Sequence, residues 1–210
     1  SDSSASESYN GTSWTNTPSL GTARRDLGGF GTQTAAVGVA GNGGGVKVTN
    51  TEKWNGSSWT ASGAYPAATE ALGALGIQTA GLAFGGETVP AIVVTTNTFN
   101  GSTWTPTGSL NTARYGMGGS GTQTAGLAFG GAPGPSAATE SFNGTTWTTV
   151  NSLNTARVGV SGAGTQTATV AFGGTPSAAT ELWNGTSWTS NPTTLATARN
   201  NLAGAGTQTA

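Results

Sequence analysis

Residues Arg157 to Thr189 read RVGVSGAGTQTATVAFGGTPSAATELWNGTSWT, and this stretch carries the fold. Ala168, Val170 and Phe172 fall on one side of an extended chain, because side chains alternate along a strand. Arg157–Ala163, just upstream, is Gly-rich and small, as suits a strand at a crowded centre. Gly164-Thr165-Gln166-Thr167 is the turn between the two, and Gly173-Gly174 closes the second strand. A third strand covers about Ala179–Trp183. Asn184-Gly185 is then a strong short hairpin signal, since a type I′ turn needs positive φ at both central residues. A fourth strand carries Trp188. These four strands are named a to d in chain order.

Outward from this stretch the same phrases return. Asn-Gly-[Ser/Thr]-[Ser/Thr]-Trp-Thr begins at Asn10, Asn55, Asn100, Asn143 and Asn184, with starts 45, 45, 43 and 41 residues apart. Gly-[Thr/Ile]-Gln-Thr-Ala ends at Ala35, Ala80, Ala125, Ala168 and Ala210. Ala-Phe-Gly-Gly closes at Gly86, Gly131 and Gly174, and Val39-Ala40-Gly41 stands in its place in the first unit. A repeat of this length, made of four short strands, has the size of a propeller blade. No segment holds a 3.6-residue period, so helix is expected to be nearly absent. The expectation is a five-bladed β-propeller of four-stranded antiparallel blades, with the closing blade shared between the two chain ends. It forms one domain over residues 1–210, in units of about 24–61, 70–106, 114–149, 157–190, and 199–210 joined with 6–15. Strand b of that shared blade is to come from a continuation of the polypeptide, from a neighbouring chain, or from Ser1–Ala5.

Composition narrows the function. Charged residues make up 7 % of the chain and the net charge is −1, so no field draws nucleic acid or an anionic surface. No apolar run reaches the ~20 residues that span a bilayer, and membrane insertion is not expected. There is no His and no Cys, which removes the common general base, the thiolate nucleophile and the imidazole ligands of metals. No cofactor, no metal and no catalytic residue is expected. The remote enzymatic alternative is a carboxylate glycosidase, which needs two acids about 5–10 Å apart; Asp26, Glu70 and Glu87 are its candidates.

The units resemble kelch repeats. The shared features are the Gly-Gly doublet after strand b, an aromatic in strand c and a Trp in strand d. The pairs here are Tyr9/Trp14, Trp54/Trp59, Phe99/Trp104, Phe142/Trp147 and Trp183/Trp188. The c–d turn is tighter, and five blades are fewer, than in typical kelch propellers. The Asn-Gly-Thr-Ser-Trp-Thr phrase is also similar to repeats of phage and environmental microbial proteins. The resemblance implies a propeller and a binding role, with no catalytic residues.

Several positions are candidates on these grounds. Arg24, Arg114, Arg157 and Arg199 open strand a, while Glu7, Glu52, Glu140 and Glu181 lie in strand c. Glu70 and Asn97 replace them in the second unit, and this joint loss implies Arg–Glu pairs. Asn10, Asn55, Asn100, Asn143 and Asn184 are turn residues and formal N-glycosylation acceptors. The aromatic pairs are expected to pack between blades. The b–c loops vary most: Asn42–Asn50, Glu87–Val93, Ala132–Ala138 and Thr175–Ala178. Variable loops on a rigid scaffold carry binding, which marks Asn42, Lys47, Glu87, Thr88, Pro133, Thr175 and Pro176 as ligand-binding candidates. The d–a loops lie at the same end of the blades. The function expected is that of a structural, self-assembling surface or fibre component, or else a carbohydrate- or surface-binding module. Its partners would be copies of itself, a glycan or another surface protein, in an extracellular or virion-surface setting.

Overall fold

The computed structural model describes residues 1–208; Ala210, the expected end of the last unit, lies outside them. The chain opens with a hairpin of β1 (Ser6–Tyr9) and β2 (Trp14–Thr17). The first blade contains β3 (Gly28–Thr32), β4 (Ala35–Val39), a short b–c excursion of β5 (Asn42–Gly43) and β6 (Val46–Lys47), then β7 (Thr51–Trp54) and β8 (Trp59–Ala61). The second blade is β9 (Gly73–Ile77), β10 (Ala80–Phe84), β11 (Thr96–Phe99) and β12 (Trp104–Thr107). The third is β13 (Gly118–Thr122), β14 (Ala125–Phe129), β15 (Thr139–Phe142) and β16 (Trp147–Val150). The fourth is β17 (Ser161–Thr165), β18 (Ala168–Phe172), β19 (Thr180–Trp183) and β20 (Trp188–Asn191). Each blade is an antiparallel sheet with its strands in chain order. No helix is present among the described residues, so none is long and apolar enough to cross a membrane.

The arrangement is a β-propeller with four complete blades among the described residues, not five. The fifth unit is divided: β1 and β2 form a sheet by themselves, and Arg199–Gln208 forms no strand. The physical reason is that a segment of strand-a type needs strand b beside it to satisfy its main chain. Ser1–Ala5 does not supply that strand. Ser3 bridges to Arg24, and the Leu20 amide donates to Ser4 O at 2.9 Å. Ser136 and Ala137 in the third blade meet the following unit in the same way. Residues 3–5 therefore stand where a b–c loop ends. Strand a also begins later than the sequence suggests, at Ser161 and not Arg157.

The core lies between blades. Leu75, Leu82 and Phe84 of the second blade form one cluster with Phe142 and Trp147 of the third. Leu127 and Phe129 join Ala171, Trp183 and Trp188 in the same way one blade on. The indole N–H of strand d crosses each boundary. Trp104, Trp147 and Trp188 donate to the hydroxyls of Thr51, Thr96 and Thr139 in the preceding blade, each at 3.0 Å.

One steric rule sets the blade spacing. The Phe that ends strand b lies over a residue in strand a of the next unit, and that residue is glycine. A Cβ on Gly119 would stand 3.0 Å from Phe84 Cζ, one on Gly162 2.5 Å from Phe129 Cζ, and one on Gly204 2.9 Å from Phe172 Cζ. Where strand b ends in the smaller Val39, the next unit carries Ala74, packed against the cluster that holds Val39. Gly119→Ala is therefore expected to destabilise the fold by about 1–3 kcal/mol through overpacking. Combining it with Phe84→Val should cost less than the two changes summed. Urea unfolding of the parent, both single variants and the double variant measures this coupling.

Candidate functional site

The Arg and Glu positions form one clamp three times. Arg24 Nη2 meets Glu52 Oε1 at 2.9 Å, Arg114 meets Glu140 at 2.8 Å, and Arg157 meets Glu181 at 3.0 Å, all buried. Nη1 of each Arg donates to two carbonyls. One belongs to the residue just past strand b (Ala40, Gly130 or Gly173), the other to the residue before strand c (Asn50, Ala138 or Ala179). The second carboxylate oxygen accepts the d–a loop amide of Gly21, Asn111 or Asn154. Burial lowers the pKa of Arg24 and Arg157 below the ordinary guanidinium value, and Glu52 and Glu181 oppose that shift. Arg199 and Glu7, both exposed, make no such pair among the described residues. The strand-b carbonyl that anchors the other three guanidinium groups is not beside Arg199.

The second unit replaces the clamp with a neutral pair. The residue at the Arg position is Thr69, not Glu70: Glu70 bridges to Glu87 just as Arg25 bridges to Asn42 and Val158 to Thr175. Asn97, in the Glu position, donates to the hydroxyl of Tyr65 at 3.0 Å, and both are buried. Burial raises the Tyr65 phenol from 10.0 to about 12, and the Asn97 bond opposes this.

The glutamine of Gly-[Thr/Ile]-Gln-Thr-Ala performs a task the sequence reading missed. Gln78 Nε2 donates to Ala36 O and Trp54 O, the outer carbonyls of strands b and c in the preceding blade. Gln123 does the same to Gly81 and Phe99, Gln166 to Gly126 and Phe142, and Gln208 to Thr169 and Trp183. Gln33 reaches Tyr9 O and the Ser8 hydroxyl in the N-terminal hairpin. Its presence in all five copies of a turn was the available signal.

At the axis the five units meet through their main chain. Asp26, Ala71, Gly116, Gly159 and Asn201 all have positive φ, from 51° to 65°. The amides of Ala71, Gly116, Gly159 and Asn201 each donate to the carbonyl of the preceding member at 2.8–2.9 Å. Gly, Asn and Asp tolerate this left-handed conformation, whereas Ala71 adopts it at a cost of about 1 kcal/mol. These residues line an axial mouth of about 370 Å³ together with Arg25, Glu70 and Glu87.

Beside this mouth the b–c loops of the first two blades converge. Asn42 Nδ2 donates to Glu70 Oε2 at 2.8 Å, Lys47 Nζ lies 3.3 Å from Glu70 and 3.0 Å from Glu87, and it donates to Thr88 O at 2.9 Å. Asn42, Lys47, Thr88 and Val89 line a cleft of about 770 Å³ with Ala67 and Ala68 of a d–a loop. Pro133 lies in the third blade's b–c loop, apart from this cleft. Thr175 and Pro176 line a separate hollow beside Arg199 and Asn200. The candidate acids Asp26, Glu70 and Glu87 do reach one cavity, but Arg25 lies 3.7 Å from Asp26 and Lys47 holds the other two. Among the described residues no group of three acidic side chains is placed to hold a metal ion.

The Asn-Gly turns differ from the expected type I′ form. Only the glycines (Gly11, Gly56, Gly101, Gly144 and Gly185) have positive φ. Each Asn accepts, on Oδ1, the amides two and three residues on, as Asn143 does from Thr145 and Thr146 at 3.0 and 2.9 Å. This is the Asx-type alternative for the same residue pair. All five Asn are exposed. Of the aromatic pairs, Trp54, Trp147, Trp183 and Trp188 are buried, whereas Tyr9 and Trp14 are 44 % and 66 % exposed. Against known proteins, the chain matches no family model and no curated sequence.

Removing one partner of a buried pair leaves the other charge unpaired, which typically costs about 3–5 kcal/mol. Arg157→Met is expected to lose that much in chemical denaturation, and Glu181→Gln, which keeps an acceptor for the Asn154 amide, to lose less. The Tyr65 shift has its own signature. The folded state favours the neutral phenol, so its contribution is complete below pH 10.0 and is lost as the pH rises through about 12. Stability measured across that window should fall more steeply in the parent than in Tyr65→Phe.

Proposed function

We propose that this chain is a non-catalytic, kelch-like propeller acting as a structural, self-assembling surface component. One observation carries this reading: among the described residues β1 pairs with β2 alone, and its other edge faces an apolar-walled cleft. Exposed edges template pairing with other chains unless they are covered. The charges point the same way. Seven of the eight carboxylates have a cationic partner within 4.0 Å, Glu7 being the exception, which leaves few acids free for chemistry. An exterior rich in Ser, Thr and Asn suits hydrogen-bonded contacts between copies.

Light scattering on size-separated protein, across a hundredfold range of concentration, should give masses that rise from one chain to several. A single-chain mass at every concentration would overturn the assembly reading. The convergence of Asn42, Lys47 and Thr88 on one cleft, with Glu87 held to Lys47 beside it, favours a second reading, recognition of a glycan. Saturable binding on a glycan array, lost in Lys47→Ala, would replace the first reading with it.

A further inference from the structure

The d–a loop before each of the three clamped blades gives a main-chain amide to the clamp glutamate, but only two of these loops fill the space beside it. In the third blade Asn111 Nδ2 donates to Glu140 Oε2 at 2.9 Å and to Trp147 O at 3.1 Å. In the fourth, Asn154 Nδ2 donates to Trp188 O at 3.1 Å and to Ser190 Oγ at 3.4 Å. A side-chain carboxamide thus ties the d–a loop to the outer edge of strand d, and in the third blade to the buried glutamate as well. The first blade keeps the acceptors and loses the donor. Its loop residue is Gly21, whose amide still binds Glu52 Oε2 at 2.6 Å, and Trp59 is the counterpart of Trp147 and Trp188.

The space that the side chain would fill is open. A hollow of about 390 Å³ is lined there by Gly21, Thr22, Asn50, Glu52, Trp59 and Ser62. A Cβ on Gly21 would stand 3.1 Å from Glu52 Oε2, so the missing side chain belongs on the carboxylate's side. Asn50 does not swing in to replace it, because its Nδ2 donates to Thr22 Oγ1 at 3.1 Å. Among the described residues no side chain donates to Trp59 O. A neutral donor suits these acceptors better than a cation does. Arg24 already matches the Glu52 charge at 2.9 Å, and a second cation would be repelled by that guanidinium. Asn111 uses both hydrogens of one nitrogen, which a primary amide has and a secondary amide lacks.

We propose that the hollow at Gly21 is a binding site for a primary carboxamide, which takes the place held by the side chains of Asn111 and Asn154 in the third and fourth blades. Its NH2 group donates to Glu52 Oε2 and to Trp59 O. Glu52 is 5 % exposed and fixed by Arg24, so the acceptor is already in position before the ligand arrives, and little ordering is lost on binding. The same head group can come as a free amide or as an Asn or Gln side chain of a second copy of the chain. The site stands whether or not copies associate.

The probe is acetamide, added to the whole protein and followed by the amide resonance of Gly21. Saturable one-to-one binding is expected, with a Kd of about 1–10 mM for so small a ligand. Acetate has the same shape and no N–H, and should bind about tenfold more weakly or worse, the difference that a hydrogen bond to a charged group supports. Gly21→Asn supplies the carboxamide from within. It should abolish acetamide binding and leave the urea midpoint at or above that of the parent; circular dichroism establishes that it is folded, and if it is not, the acetate comparison decides alone. No saturable shift at Gly21, equal binding of acetate, or acetamide binding kept by folded Gly21→Asn overturns the proposal. So does methylammonium that binds as tightly as acetamide, which would make this a cation site. Where acetamide binds, light scattering separates the two sources. A mass lowered both by acetamide and by Gly21→Asn assigns the carboxamide to a second copy of the chain, and a mass indifferent to both assigns it to a free amide.

Discussion

Strand b is the element on which each blade depends. Its sides are paired with strands a and c, and the carbonyl just past its end takes the arginine of its own unit. A carbonyl near its start takes the glutamine of the next unit, and its terminal Phe lies on the next unit's glycine. Main-chain polar groups buried without partners are costly, so a blade that has strand b closes all these contacts together. A unit without it closes none of them. Among the described residues the fifth unit has no strand b, and there it is a separate hairpin and an irregular segment beside complete sheets.

The buried ion pairs fit the same logic. With charged residues at 7 % of the chain, three of its seven Arg–acid and Lys–acid partnerships are spent inside blades, where the arginines also bind main-chain carbonyls and the carboxylates main-chain amides. Such pairs add register more surely than they add stability. The second blade shows that the site needs polar satisfaction more than charge, because Tyr65 and Asn97 fill it as a neutral pair.

Much of this was legible in the residues. The period of forty-odd residues, the span of strand b and the joint occurrence of Arg and Glu all follow from local alternation and from comparing units within one chain. Other features were misread for identifiable reasons. Asn-Gly satisfies two turn geometries, and the choice between them depends on whether the Asn side chain caps the loop amides. Glu70 was aligned with the arginines because it sits next to the correct position, and only the bridge to Glu87 corrects the register. The glutamine latches were visible as a constant letter, but their acceptors lie in the preceding unit, 39–42 residues away for the strand-b carbonyls.

By itself the sequence determined that this protein is all-β, repetitive and built from four-strand units, because alternation and turn chemistry act over a few residues. It also determined where aromatic, small and paired charged side chains recur. The tertiary structure alone decided that four blades are complete among the described residues, that five left-handed residues meet at the axis, and that Asn42, Lys47 and Thr88 share a cleft while Pro133 does not. Those outcomes depend on which units become neighbours in space and on whether each strand finds main-chain partners, and no local pattern encodes either.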